Sequence, residues 1–86
     1  MFGGEEQCVK LLCENSLAGV IIDRFGKDVM LMPIDEDHFH VNVNVVISAP
    51  FFGWIFALGD KIQIEGPETV LVKMREMLQR ISGKYM

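Results

Sequence analysis

Apolar and polar residues alternate without a slip from His38 to Val46. Phe39, Val41, Val43 and Val45 fall on one side, and His38, His40, Asn42 and Asn44 on the other. A period of two marks a strand with one buried face. Residues 7–14 show a second such segment, with Val9, Leu11 and Cys13 opposed to Cys8, Lys10 and Leu12. The spacing then turns helical. Leu17, Ile21 and Phe25 form one stripe, with Asn15-Ser16 as the expected cap and Gly26 as the stop. Residues 28–34 predict a second strand, Asp35-Glu36-Asp37 an acidic turn, and residues 38–47 the returning arm of a hairpin.

A second helix is predicted over residues 49–58, stopped by Gly59 because glycine enters the left-handed region cheaply. Residues 61–65 alternate again as a short strand. Gly66-Pro67 then opens a final helix reaching about residue 82. Its stripe is Val70, Leu71, Met74, Met77, Leu78 and Ile81, with Lys73, Glu76, Gln79 and Arg80 opposite. The order βαββαβα predicts an α+β domain, a ferredoxin-like βαββαβ unit with an added C-terminal helix. In that topology a four-stranded antiparallel sheet carries its helices on one face, and strands one and three are central.

The uncovered face of such a sheet is the first place to look for function. It would present His38, His40, Asn42 and Asn44 from strand three, Lys10 from strand one and Gln63 from strand four. Imidazoles and amides there are able to hydrogen-bond a ligand. The competing reading is a solvated sheet face, or one covered by a neighbouring domain. Central aromatics for base stacking, expected of an RNA-binding sheet, are missing from these positions. His38 and His40 lie two apart on a strand, a workable chelating spacing, but zinc needs further ligands and no metal site is assigned.

Helix two holds another candidate surface. Phe51, Trp54, Ile55 and Leu58 form a core-facing arc, whereas Phe52 and Phe56, four apart, point along a separate one. A helix apolar almost all round is expected to be covered on more than one side. Phe52 and Phe56 are therefore the candidate interface residues, unless the third strand or the N-terminal arm covers them. Catalysis draws no support. No Ser or Cys nucleophile sits in a recognisable elbow, no phosphate-cradling glycine loop occurs, and the Glu14-Asn15-Ser16 segment carries no arginine. No enzyme and no cofactor is expected.

Eighty-six residues make one domain, and with half of them apolar the chain has enough for a modest core. Residues 7–86 read as that domain, and residues 1–6, with Gly3-Gly4, as a tag or linker remnant. A net charge of −4 argues against a free-standing nucleic-acid binder and against docking on anionic lipid. Cys8 and Cys13, five apart on a strand, point to opposite faces and cannot bridge, so reduced thiols in a cytoplasmic protein are expected. No apolar run reaches membrane-spanning length, and residues 1–6 lack the basic region of a signal peptide.

One further pattern runs through Trp54-Ile55-Phe56, Leu58-Gly59, Ile62-x-Ile64 and Gly66-Pro67-Glu68, closing on Tyr85. With the upstream strand, short helix and hairpin before Phe51-Phe52-Gly53-Trp54, it resembles the C-terminal extension of bacterial WYL-domain transcription regulators. The resemblance covers residues 7–85. It implies a regulatory domain that packs against WYL domains in a homodimer and takes part in ligand-coupled control of DNA binding. DNA contact would come from a helix-turn-helix outside this chain. No Trp-Tyr-Leu triplet occurs here, which implies an excised portion of a longer regulator. The alternative is an autonomous ACT-like sensor that holds an amino acid or similar metabolite between paired subunits.

Overall fold

A computed structural model describes residues 6–86, so residues 1–5 of the expected tag or linker remnant lie outside the described part. Residue 6 already belongs to the first strand. The strands are β1 (Glu6–Glu14), β2 (Met32–Pro33), β3 (His38–Val46) and β4 (Ile62–Gly66). The helices are α1 (Ala18–Phe25), α2 (Ala49–Ala57) and α3 (Glu68–Ser82). All neighbouring strands are antiparallel, in the order β2-β3-β1-β4. This is the ferredoxin-like arrangement with one added helix, with β1 and β3 in the middle.

The two central strands pair along their full length, from Glu6 opposite Val46 to Glu14 opposite His38. In that register Val9 faces Val43 and Leu11 faces Val41, so the apolar rows of both strands share one side of the sheet. Val9, Leu11, Cys13, Phe39, Val41, Val43, Ile62 and Ile64 are all buried there. Leu17 and Ile21 from the first helical segment, Phe51, Phe52 and Ile55 from α2, and Val70 from α3 complete one contiguous core.

Local chemistry explains where each element stops. Gly26 has φ +96° and Gly59 φ +71°, backbone states that a side chain would make costly. Each sits just past the end of a helix. Ser48 caps α2, its hydroxyl oxygen accepting from the Phe51 amide at 3.4 Å. The expected Asn15-Ser16 cap does not form. Its first turn is a 3-10 segment, Asn15–Leu17, with no side-chain cap. The Asn15 side chain is committed elsewhere, donating from Nδ2 to the Glu36 carbonyl at 2.8 Å.

Two expectations shorten or shift. The strand expected at residues 28–34 is reduced to Met32–Pro33. The Val29 amide turns back to the Gly26 carbonyl, and Pro33 has no N–H to give the ladder. Pro67 stands at the N-cap of α3, one position before the first helical residue. Along α3 burial declines steadily. Val70 is fully buried, Leu71, Met74 and Met77 are partly buried, and Leu78 and Ile81 are exposed. The apolar stripe therefore extends beyond the part of the core able to cover it.

Candidate functional site

The open face of the sheet carries the expected polar set, but its two histidines are not free. His38 begins β3, directly after the acidic turn. There Asp35 Oδ1 accepts from the Asp37 amide at 2.7 Å and the His38 amide at 2.8 Å, and lies 3.0 Å from His38 Nδ1. The Asp37 amide first, and then the His38 ring, hold the Asp35 carboxyl below the usual carboxylate range. The backbone amide of Asn15 reaches the Asp37 carbonyl at 2.8 Å. The turn is thereby tied to the segment after β1, and His38 is part of that knot.

His40 lies further along β3, opposite Leu12. Its Nε2 stands 2.6 Å from Glu65 Oε1 on β4, so the contact spans the intervening β1, two strand spacings or about 10 Å. An irregularity makes this reach possible. Lys10 pairs with Gly66 and Leu11 with Ile64, which leaves Glu65 with no β1 residue opposite. Both side chains are largely covered, at 20% and 31% exposure, and the contact becomes an ion pair when His40 carries a proton. Lys10, Asn42, Asn44 and Gln63 are exposed around it. Of the proposed ligand face, these four remain open to a visitor.

Sequence reading missed Asp35 and Glu65 as partners of the two histidines. Asp35 had a local signal, since Asp three residues before a strand start is a common turn former. Glu65 had none, because its reach depends on the irregularity in β4 pairing. No group of three or more His, Cys, Asp or Glu side chains gathers closely enough among the described residues to hold a metal ion. Cys8 is exposed and Cys13 buried, both as free thiols on opposite faces. Burial pushes the Cys13 thiol up to about 11, away from the thiolate a nucleophile needs.

The helical side contains the larger opening. Phe52 and Phe56 do not act as a pair, contrary to the outward arc expected of them. Phe52 is 4% exposed and packs against Phe51, with ring centroids 5.5 Å apart, whereas Phe56 is 67% exposed. The reason lies in the flanking helices. α1 covers one side of α2, where Phe25 meets Trp54 edge-on at 5.6 Å and Arg24 lies 4.8 Å over the same indole. On its other side α2 faces α3 across a groove of about 630 Å³. Phe52 forms part of its floor and Phe56 part of its rim; Met74, Met77, Leu78 and Ile81 line it from α3. Arg80, expected on the opposite face of α3, also lines the groove, together with Lys84.

Among the described residues no helix is long and apolar enough to cross a membrane. Comparison of the chain with protein-family models, curated proteins and solved structures gave no match.

Proposed function

We propose that this chain is a non-catalytic regulatory and interaction domain of a bacterial transcription regulator, the extension that follows a WYL domain. The groove between α2 and α3 carries the reading. Exposed apolar side chains gathered in one groove are a common docking feature, and Phe56, Leu78 and Ile81 are gathered in this one. Support also comes from the resemblance of the Trp54 to Pro67 pattern to that family. On this reading the groove packs against a WYL domain of the same or the partner protomer in a homodimer. DNA is then contacted by a helix-turn-helix elsewhere in the regulator, in the cytoplasm.

An ACT-like sensor would place its metabolite on paired sheets or helices. The His40–Glu65 contact across the middle of the sheet weighs against that placement, because it occupies the central imidazole.

The reading frame upstream of Met1 tests the proposal. An in-frame helix-turn-helix and WYL segment is expected, and a stop codon a few codons upstream would overturn it. In the full-length regulator, Phe56→Asp should reduce cross-linking between this domain and the WYL domain while the isolated domain keeps its circular dichroism spectrum.

A further inference from the structure

The groove has a feature that packing against a protein domain does not require. Its two charged lining residues, Arg80 and Lys84, are both cationic. They sit four apart, Arg80 in the last turn of α3 and Lys84 two residues past its end. Neither takes part in an ion pair among the described residues; the pair that α3 makes is Arg75 with Glu68. The chain has twelve acidic and eight basic residues, so a groove whose charged lining is cationic alone runs against its general balance. The carbonyl end of α3 offsets part of that charge, with the equivalent of about half an elementary charge spread over the last turn.

We propose that the groove binds an amphipathic carboxylate, a medium-chain fatty acid. Its tail lies along Phe52, Phe56, Met74 and Ile81, and its head group meets Arg80 and Lys84. The proposal rests on the reading of this groove as the surface the domain uses. Three observations support the class of ligand. A volume of about 630 Å³ falls within the roughly 300–1,000 Å³ usual for small-molecule sites. From Met74 to Ser82 the helical rise covers about 12 Å, which suits an extended chain of about ten carbons. The lining is apolar except at one end, where charge-assisted hydrogen bonds to a carboxylate are available. An occupant seated there covers Phe56, so it competes with a docked domain, and each lowers the other's affinity by the same factor.

Titration of the chain with octanoate, followed by amide nitrogen–proton spectra, tests this. Saturable shifts are expected at Gly53, Phe56 and residues 74–84, with no comparable change at Asn42 or Asn44. Binding should tighten several-fold from hexanoate to octanoate, as each added methylene is buried. Octylamine should bind at least tenfold more weakly than octanoate. Arg80→Gln with Lys84→Gln, both exposed positions, should lower octanoate affinity about tenfold and keep the chain-length trend. Shifts centred on the sheet face, equal binding of octylamine, or no saturation by 10 mM (an order-of-magnitude ceiling, about −2.7 kcal/mol) would overturn it. The same groove shifts produced by raising protein concentration alone would assign the groove to a second copy instead. If octanoate fails while Phe56→Asp still frees the WYL domain in the full-length regulator, the ligand assignment falls and the docking role stands.

Discussion

Phe52 and Phe56 are four residues apart on α2, and truncating each to alanine should give sharply different costs. Phe52 is 4% exposed and in ring contact with Phe51, while Phe56 is 67% exposed on the groove rim. Emptying the Phe52 site removes a buried aromatic from the groove floor together with its contact with Phe51, a loss of about 3–5 kcal/mol. A chain of 86 residues has a total stability of about 4–13 kcal/mol at typical values per residue. Phe52→Ala therefore consumes about a quarter of it or more. Phe56→Ala should stay within about 0.5 kcal/mol, since its ring is already in water. Urea unfolding followed by circular dichroism reads both, with a fallen midpoint and unchanged slope for Phe52→Ala. In melting temperature the same loss is at least about 12 °C for a domain of this size. A cost below about 1 kcal/mol at Phe52 would refute the packing argument. So would a cost above about 1.5 kcal/mol at Phe56 in dilute protein, which would mean that its ring is covered.

Cys13 gives an alkaline signature. Burial raises its folded-state thiol from an ordinary 9.0 to about 11, so below pH 9 both states keep the proton and stability does not depend on this group. Between pH 9 and 11 the unfolded thiol ionises and the folded one does not, and stability falls by up to about 3 kcal/mol. Cys13→Ala should flatten that part of the stability–pH curve relative to the parent chain; an unchanged slope would refute it. For His40 and Glu65, a double-mutant cycle to alanine should show coupling of about 0.5–1 kcal/mol. Coupling indistinguishable from zero would contradict a contact across β1.

The sheet was legible because β1 and β3 alternate cleanly, and a one-residue slip would have turned Val41 and Val43 to water. The helices were legible from Gly26, Gly59 and Pro67, whose backbone demands act locally. What escaped depends on neighbours. Phe52 and Phe56 lie on the same arc of an isolated helix; only α1 on one side and a parted α3 on the other decide that one is buried and its neighbour wet. Arg80 was placed opposite the α3 stripe by periodicity, yet its long stem reaches the groove edge. β2 lost most of its expected length to a turn at Gly26 and to Pro33, signals present in the sequence but outweighed there by the run of apolar residues from Val29 to Met32.

The declining cover along α3 has a dynamic corollary. Amide protons near Val70 are shielded by the domain's own interior, whereas those after Met77 are held by little more than the helix's own ladder. Deuterium uptake should thus rise along that segment by orders of magnitude, and whatever settles in the groove would report its arrival by slowing the last two turns.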